Sequence, residues 1–322
     1  MTNFGALTTG DEVATALRDQ IKGKTILITG PSKSSIGAET AISIAAGSPK
    51  LILLAGRTQN KIQPVIDTVQ QKYPAVATTF IALDLADQDS VRKAAKEILS
   101  KIDSLDVLIN NAGVMGVREY TTTVQGIETQ FGINHIGHFL LTKLLMPKLL
   151  AAKNGARVIN VSSFGHLAMG VRFDDWNFKD GKEYNPWLGY AQSKTANILF
   201  SSALARKLKK QGLLSYSVNP GLIPETNLQS DISQEEFAEG IKVTMESLGD
   251  FPMPAITAKP LAAGSATSIY AAFDPSLKEH SGAFLTDCGV YGGIMKEHTV
   301  GIEKEDALWE LSEELVGGKF EV

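Results

Sequence analysis

The sequence predicts an α/β protein in which a doubly wound parallel sheet carries helices on both faces. Short runs rich in isoleucine, leucine and valine alternate with segments of helical periodicity, and this alternation is typical of parallel sheets with crossover helices. The runs are almost continuously apolar, as in strands that are buried on both faces. No linker, charge run or internal repeat divides the 322 residues, which indicates a single domain.

Each apolar run has the length of a strand, and each periodic segment has the length of a helix. The predicted strands are Thr25–Thr29, Leu51–Gly56, Thr78–Leu83, Asp106–Asn110, Arg157–Ser162, Leu214–Asn219 and Gly282–Leu285. The predicted helices are Ile36–Gly47, Lys61–Tyr73, Ser90–Lys101, Thr123–Ala152, Gly189–Gln211 and Lys259–Phe273. Outside them we expect an N-terminal extension (1–22), a lid over the ligand site (223–259) and a C-terminal extension (300–322).

Composition and charge exclude several classes of partner. The chain has 31 basic and 35 acidic residues and no basic cluster beyond the short run 207–210, so nucleic acid is not an expected partner. Cys288 is the only cysteine, which favours a reducing compartment. No apolar stretch resembles a signal peptide or a membrane anchor. We expect a cytoplasmic homodimer or homotetramer that acts on a small molecule and uses no metal.

The turn after the first strand suits a dinucleotide pyrophosphate. Thr29-Gly30 ends that strand and Ile36-Gly37 opens the next helix. Glycines there let backbone N–H groups approach phosphate at the helix N-terminus. Ser35 stands where a middle glycine is usual, while Ser32 and Lys33 add a hydroxyl and a charge for phosphate oxygens. An ordinary strand-to-helix turn is the alternative interpretation.

Arg57 indicates which dinucleotide would bind. It lies 20 residues after Gly37, where a carboxylate would hold a ribose 2′-hydroxyl, and no Asp or Glu follows until Asp67. A guanidinium there suits a 2′-phosphate, because it forms bidentate, charge-assisted hydrogen bonds. NADP, as NADPH, is therefore favoured over NAD, with a solvated arginine at a strand end as the alternative.

Two further strand ends carry candidate cofactor contacts. Asp84-Leu85 follows the third strand, and Asn111, Ala112 and Gly113 follow the fourth. The Asp84 carboxylate suits an adenine amino group, and the small residues leave room for the cofactor. Asp and Asn also cap helices and form turns, so each residue alone is ambiguous.

Tyr190 and Lys194 form the most informative pair. They stand four residues apart in a predicted helix, so both side chains lie on one helix face. A phenol titrates near ~10 in water, and a neighbouring cation favours the phenolate and lowers its pKa. Such a pair suits acid–base chemistry, although a solvated helix face has the same pattern.

Taken together, these motifs resemble those of the short-chain dehydrogenase/reductase family, whose fold is Rossmann-like. The matching motifs are Thr29-Gly30…Ile36-Gly37, Asn110-Asn111-Ala112-Gly113, Asn134, Ser162-Ser163, Tyr190-x-x-x-Lys194 and Asn219-Pro220-Gly221. Finer features are similar to the retinol-dehydrogenase and WW-domain-oxidoreductase-like branch, namely residues 134–142, 193–200 and 281–288.

The resemblance implies a role for each matching residue of the catalytic set. Tyr190 would exchange a proton with the substrate oxygen, and Lys194 would bind the nicotinamide ribose and hold down the pKa of the phenol. Ser163 would orient the carbonyl, or Ser162 if the register differs by one residue. Asn134 would hold a water that links Lys194 to solvent.

The same resemblance places the segment after the sixth strand beside the cofactor. Pro220 and Gly221 would shape the wall next to the nicotinamide. Ile223 and Thr226 follow them and are expected to contact the cofactor, with Thr226 one residue later than in the common pattern.

Other conspicuous side chains have simpler interpretations. His135, His138 and His166 lack nearby acidic or cysteine ligands, so buried or surface histidines are favoured over a metal site. An aromatic set between Ser163 and Tyr190 either lines a substrate pocket or covers the sheet edge; it comprises Phe173, Trp176, Phe178, Tyr184 and Trp187, with Trp187 nearest the chemistry.

These observations predict an NADP(H)-dependent oxidoreductase that interconverts a carbonyl and an alcohol on a small organic substrate, with reduction as the expected direction. Two alternatives use the same residues. One is an NADP(H)-binding regulator or scaffold with little catalysis. The other is a non-redox isomerase or cyclase built on the same scaffold.

Overall fold

The computed structural model describes residues 4–229, 232–256 and 258–321. They form an eight-stranded sheet in the order β3-β2-β1-β4-β5-β6-β7-β8, parallel except for β8. The strands are β1 (Thr25–Thr29), β2 (Leu51–Gly56), β3 (Ala77–Ala82), β4 (Val107–Asn110), β5 (Arg157–Val161), β6 (Leu214–Asn219), β7 (Phe284–Thr286) and β8 (Gly289–Val290). The order reverses between β1 and β4, and ligands of such sheets bind at that crevice. The predicted fold class, a single Rossmann-like α/β domain, is confirmed.

Helices cover both faces of the sheet. They are α1 (Gly10–Ala16), α2 (Arg18–Ile21), α3 (Ile36–Ala45), α4 (Gln59–Lys72), α5 (Gln88–Lys101), α6 (Thr129–Phe131), α7 (Gly137–Leu150), α8 (Pro186–Lys207), α9 (Gln234–Leu248), α10 (Leu261–Gly264), α11 (Ala266–Phe273) and α12 (Ile302–Leu315). Successive residues of β1 face opposite layers: Leu27 packs with α5, α7, α8 and α12, whereas Ile26 and Ile28 pack with α1, α3, α4 and α11. The sheet therefore lies between two apolar cores. No helix within the described ranges combines the length and apolar composition that a membrane crossing requires.

The strands agree closely with the sequence, whereas some helix ends do not. β1, β2 and β6 have the predicted bounds, and β3, β4, β5 and β7 differ by one or two residues. The helix predicted over Thr123–Ala152 begins only at Thr129, because buried Glu128 caps that end and accepts hydrogen bonds from the N–H groups of Gln130 and Phe131. A π-helical turn over Gly132–Ile136 then joins α6 to α7.

The two extensions are parts of the cores. In the N-terminal extension, α1 begins with a capping box between Thr9 and Glu12 and buries Val13. In the C-terminal extension, Trp309 of α12 stacks on Phe320 with ring centroids 4.7 Å apart. These two rings cover Phe139 of α7, whose centroid lies 5.4 Å from each of them. Both ends of the described chain therefore stabilise the helical layers.

Candidate active site

A cavity of about 1930 Å3 opens at the carboxyl ends of the parallel strands. Nearly every residue predicted for the cofactor and catalytic sites lines it. The exceptions are Gly37 and Asn134, which are buried behind Asn111 and Gly113 respectively. The sequence motifs thus converge on one site.

The turn after β1 passes very close to the end of β4. Gly30 has φ +70°, and a Cβ atom there would lie 2.8 Å from the Cα of Ala112. Only glycine suits both the backbone angle and the contact. Ser35 caps α3 by accepting from the N–H of Ala38 at 3.1 Å, and its hydroxyl donates to the carbonyl of Gly30 at 3.2 Å. The serine in place of a middle glycine therefore holds the turn together.

Thr29 fastens the two strand ends that flank this turn. Its Oγ1 accepts from the N–H groups of Asn111 at 2.9 Å and Ala112 at 3.0 Å. The Asn111 carboxamide donates in return to the carbonyl of Thr29 at 2.8 Å. The floor of the crevice is therefore rigid, with small residues facing the cavity.

Three cationic side chains line the cavity beyond β2. Arg57 follows that strand directly, and Lys61 lies in the first turn of α4. The backbone N–H of Lys33 donates to the carbonyl of Lys61 at 3.0 Å, which brings the glycine turn alongside α4. The sequence interpretation missed Lys61, since it named only the strand end and the glycine turn. Asp84 also lines the cavity, and its carboxylate accepts from the N–H of Ala86 at 3.0 Å.

Helix α8, which carries Tyr190 and Lys194, starts three residues before its predicted position. Asn185 caps it by accepting from two backbone N–H groups, and Pro186 occupies the first turn, where a missing N–H costs nothing. Tyr190 and Lys194 lie in the N-terminal half of this helix, and both are buried. The Lys194 Nζ donates to the carbonyl of Val161 at the end of β5, at 3.0 Å. Helix and sheet together therefore fix the ammonium.

The two serines after β5 have different partners. Ser162 donates to the backbone carbonyl of Lys194 at 2.8 Å and is fully buried. Ser163 faces the cavity, accepts from the N–H of Gly165 at 3.0 Å and forms a hydrogen bond with the Tyr190 hydroxyl. A Cβ on Gly165 would lie 2.8 Å from the Tyr190 ring, so glycine there admits the ring. Of the two, Ser163 is the serine beside the phenol.

Burial sets the proton affinities of the pair. Desolvation raises the pKa of Tyr190 to about 12, although the bond with Ser163 opposes it. Desolvation likewise lowers the pKa of Lys194 to about 8. Against the expectation that Lys194 holds it down, the pKa of the phenol lies above its usual value, because the buried ring has lost its solvent.

Asn134 joins the loop after β4 to helix α8. Its Oδ1 accepts from the N–H of Val114 at 2.8 Å, and its Nδ2 donates to the Val114 carbonyl and to Ser193 Oγ, each at 2.9 Å. Ser193 donates in turn to the carbonyl of Tyr190 at 2.7 Å. Both ends of the carboxamide therefore hold protein groups in place, and the expected link through a water stays a prediction.

The segment after β6 forms another wall. Gly221 has φ +94°, and a Cβ there would lie 2.8 Å from the side chain of Lys259. Lys259 is buried and forms an ion pair with Asp287 on the turn between β7 and β8. The sequence interpretation missed this pair, because only the fold brings the two residues together. Thr226 lines the same wall, and its hydroxyl donates to the carbonyl of Ile223 at 3.2 Å.

The predicted lid contains α9, which packs on the entrance to the cavity. A Cβ on Gly240 would lie 2.5 Å from the Trp187 indole, so the helix rests directly on that ring. Phe237 meets Trp187 edge-on with centroids 6.3 Å apart. A bidentate ion pair between Arg118 and Glu236 joins the lid to the loop after β4.

Of the five aromatic residues predicted near the chemistry, Trp187 alone lines the cavity. Phe173 and Trp176 pack against the core instead, and Phe178 is fully buried. The Tyr184 hydroxyl donates to the carbonyl of Val117 at 2.7 Å. Of the set, Trp187 therefore faces the cavity, and its part in a substrate pocket stays a prediction.

The three central histidines bond protein groups. His135 contacts Ser312 at 2.8 Å, and His166 contacts the carbonyl of Ser163 at 2.6 Å. His138 contacts Thr29 at 2.8 Å and the carbonyl of Asn134 at 3.0 Å. In the part of the chain that the structure describes, no three His, Cys, Asp or Glu side chains group as metal ligands would.

Known proteins are similar in sequence to most of this chain. The short-chain dehydrogenase/reductase prx1 of Penicillium roqueforti is 35% identical, covering 91% of this chain and 85% of that protein. Retinol dehydrogenase 13 of Homo sapiens is 34% identical, with a match that covers 92% of this chain and 86% of that protein. The chain belongs to the short-chain dehydrogenase/reductase family. Within the family it falls in the retinol-dehydrogenase-like branch, and it is an oxidoreductase of the class that acts on CH–OH or C=O groups.

One family model and two solved structures are also similar to the chain. The family model described as short chain dehydrogenase matches residues 24–173. An uncharacterised protein from Mycobacterium Paratuberculosis has a similar structure, with a TM-score of 0.70 and 31% identity, covering 94% of this chain and 96% of that one. NADPH-bound carbonyl reductase from chicken fatty liver shares the fold, with a TM-score of 0.59 and 20% identity. The match covers 84% of this chain and 99% of that one.

Proposed function

We propose that this short-chain dehydrogenase/reductase is an NADPH-dependent reductase that converts a carbonyl on a small, largely apolar substrate to an alcohol. The observation that carries the proposal is the meeting of Tyr190, Lys194 and Ser163 at the wall of the large cavity. A phenol, an ammonium and a hydroxyl in one buried place can transfer a proton and orient a carbonyl.

Residues of the cavity suit a nicotinamide dinucleotide with a 2′-phosphate. The glycine turn at Gly30 keeps Cβ atoms away from the crevice floor. Lys33, Arg57 and Lys61 provide positive charge beyond β2, where a 2′-phosphate would lie. Asp84, at the neighbouring strand end, would accept from the adenine amino group. Ile223 and Thr226 would contact the nicotinamide end.

The proposed chemistry uses three side chains of this chain. When bound, NADPH would be the source of the hydride that reduces the carbonyl carbon. Ser163 donates a hydrogen bond to the carbonyl oxygen, and Tyr190 transfers its proton to that oxygen, which completes the alcohol. Lys194 places its charge over the phenol ring, 5.4 Å from the centroid, and stabilises the phenolate that remains until solvent restores the proton.

The protonation states of the pair at neutral pH are those with which carbonyl reduction begins. Burial raises the pKa of Tyr190 to about 12, so the phenol keeps its proton at neutral pH and is ready to donate it. Oxidation of an alcohol would need the phenolate before catalysis begins. Lys194, whose pKa is lowered to about 8, is mainly cationic at pH 7.

The walls of the substrate end favour an apolar group next to the carbonyl. Trp187 and Met115 line this end, and Phe237, Ile241 and Met253 of the proposed lid complete it. Apolar walls with a few polar groups are usual for pockets that orient a small organic ligand. The Ser163 hydroxyl and the Tyr190 phenol would be those polar groups.

The decisive experiment mixes the purified protein with NADPH and a series of aromatic and aliphatic aldehydes and ketones. We expect equal amounts of NADPH consumed and alcohol formed with at least one apolar carbonyl. NADPH binding without consumption across the series would favour the regulator. Substrate conversion without NADPH consumption would favour the isomerase or cyclase. Absence of NADPH binding at millimolar concentration would overturn the cofactor assignment.

Location and assembly are separate parts of the proposal. The single cysteine, Cys288, is buried and unpaired, which suits a reducing compartment such as the cytoplasm. A homodimer or homotetramer is proposed for solution. Sedimentation of the purified protein at several concentrations measures the mass and would reject that assembly if only the monomer is found.

A further inference from the structure

His138 lies between two segments of the site. One is the turn after β1, residues 29–36, which we call the cofactor turn, and the other is the π-helical turn that contains Asn134. It lies in α7 and is almost completely buried. One ring nitrogen, Nε2, lies 2.8 Å from Thr29 Oγ1, and the other, Nδ1, lies 3.0 Å from the carbonyl oxygen of Asn134. The ring thus bridges the end of β1 and the π-helical turn.

The partners of His138 fix its tautomer. A carbonyl oxygen only accepts, so Nδ1 must carry the hydrogen that it donates to Asn134. Burial lowers the pKa of His138 to about 4, so the ring is neutral near pH 7 and Nε2 keeps its lone pair. Nε2 therefore accepts from the hydroxyl of Thr29.

The direction of this hydrogen bond decides where the hydroxyl hydrogen of Thr29 points. Its Oγ1 already accepts from the N–H groups of Asn111 and Ala112, which face the crevice floor. The hydroxyl hydrogen must then point elsewhere, and its other neighbour, the carbonyl of Ile109, is 3.5 Å away. His138 Nε2 is the closer acceptor, and it keeps both lone pairs of Thr29 turned towards the loop after β4.

We propose that His138 is a positioning residue of this active site: its imidazole holds the cofactor turn and the Asn134 segment in register. The proposal rests on the proposed function, because the turn it holds is the one that would bind NADPH. Loss of the ring acceptor would free the Thr29 hydroxyl to rotate. The loop carrying Asn111 and Ala112 would then lose an anchor, and Asn134 would lose a donor.

His135 provides a matched control. It lies three residues earlier and is also completely buried, but its Nε2 contacts Ser312 of α12, away from the cavity. Replacing either histidine by phenylalanine removes a buried hydrogen-bonding ring of similar size. Only His138→Phe removes a contact to the cofactor turn.

The test compares His138→Phe, His138→Gln and His135→Phe by NADPH affinity, kcat and thermal midpoint. His138→Phe should weaken NADPH binding about tenfold, as expected for about 1.4 kcal/mol from one buried hydrogen bond, and should lower kcat. His138→Gln should recover most of this affinity, since its amide oxygen can accept from Thr29. His135→Phe should lower the midpoint while leaving NADPH affinity and kcat near wild type.

Two results would overturn the proposal. One is equal NADPH affinity in His138→Phe and His135→Phe, and the other is a tautomer of His138 protonated on Nε2 in nitrogen NMR of the wild-type protein at neutral pH. Both differ from failure of the proposed function, in which the wild-type protein itself binds no NADPH. The NMR measurement tests the bridge without cofactor or turnover, so it also decides the case if His138→Phe does not fold.

Discussion

The ammonium of Lys194 lies over the ring of Tyr190, with Nζ 5.4 Å from the ring centroid, while it donates to the carbonyl of Val161. The charge therefore faces the ring as well as the sheet end. A cation in this position is attracted by the aromatic face. Because burial penalises both charged forms, the resting pair is a neutral phenol beside an ammonium that loses its proton unusually easily.

Tyr190→Phe should reduce turnover about 100- to 10,000-fold, which is the usual contribution of a positioned general acid. The phenylalanine ring still packs beside Gly165, so NADPH affinity should change little. Steady-state rates and cofactor titration measure the two effects separately. Tyr184→Phe is the control, because its hydroxyl bonds the carbonyl of Val117 and it does not line the cavity. Comparable turnover in both variants would contradict the proposed chemistry.

The rate of reduction should fall as pH rises through about 8. Lys194 loses its charge there, because burial lowers its pKa to about 8, whereas Tyr190 keeps its proton until about pH 12. The measurement is kcat/KM for carbonyl reduction at saturating NADPH from pH 6 to 10, with unfolding monitored in parallel. A rate that stays constant up to pH 10 would show that the charge of Lys194 is not required.

Arg57→Ala should weaken NADPH binding about five- to tenfold and leave NADH binding nearly unchanged. An exposed charge-assisted contact contributes less than a buried one, which limits the effect. Titration of both cofactors measures the difference. Arg18→Ala is the control, because Arg18 is also exposed but does not line the cavity. Equal losses for NADPH and NADH would mean that Arg57 does not contact the 2′-phosphate.

Gly240→Ala should impair substrate binding without affecting NADPH affinity. The added methyl lies 2.5 Å from the Trp187 indole, so either the ring or α9 must move at the cavity entrance. Alanine favours a helix over glycine by about 1 kcal/mol, so the helix itself should persist. We expect an increase in the KM for the carbonyl of several-fold. Gly292→Ala, where no atom lies within 4 Å, is the control; an unchanged KM in Gly240→Ala would reject α9 as a lid.

Acid should destabilise the protein between about pH 6.5 and pH 4. Burial lowers the pKa of His135 to about 3 and the pKa values of His138 and His166 to about 4, so the unfolded chain binds more protons in this range. Each histidine changes the free energy of unfolding by about 1.4 kcal/mol per pH unit in this range. Burial raises the pKa of Glu128 to about 6, so this carboxyl acts in the opposite sense, and its contribution is lost as pH rises through 6.

Denaturant titrations at several pH values measure that slope in the free energy of unfolding. His135→Phe should flatten it by about 1.4 kcal/mol per pH unit below pH 6.5 and leave it unchanged above pH 7. A slope that is the same in the variant and the wild type would contradict neutral burial of His135.

The strands could be predicted because their bounds depend on residues that are neighbours in the sequence. A run such as Thr25–Thr29 has three apolar residues at its centre, is buried on both faces and is followed by a glycine, so its bounds can be read from the sequence. β8 has only two residues and gives no pattern. α1 has a readable capping box at Thr9 and Glu12, but the burial of Val13 depends on α3 and α11, which lie far along the chain.

The residues of the site could be predicted where they belong to a short sequence motif with one expected role. The motif residues of α8 and the glycine turn reach the cavity as expected, whereas Lys61 and Lys259 were missed because neither belongs to a motif. The proton affinity of Tyr190 was predicted in the wrong direction. Spacing shows that Lys194 is near, but it does not show how little solvent reaches the pair.

Trp309 and Phe320, the two rings that cover Phe139, are synthesised late, and this affects what the growing chain exposes. Trp309 and Phe320 lie against Phe139 of α7, and Trp309 also lies against Phe200 of α8. The ribosome reaches both only after all eight described strands have been synthesised. Until then a nascent chain presents a patch of aromatic rings to its surroundings, which is the kind of surface that chaperones bind and that aggregates grow from. Synthesis of the segment that carries Trp309 and Phe320, rather than completion of the sheet, is therefore the step that covers Phe139 and Phe200.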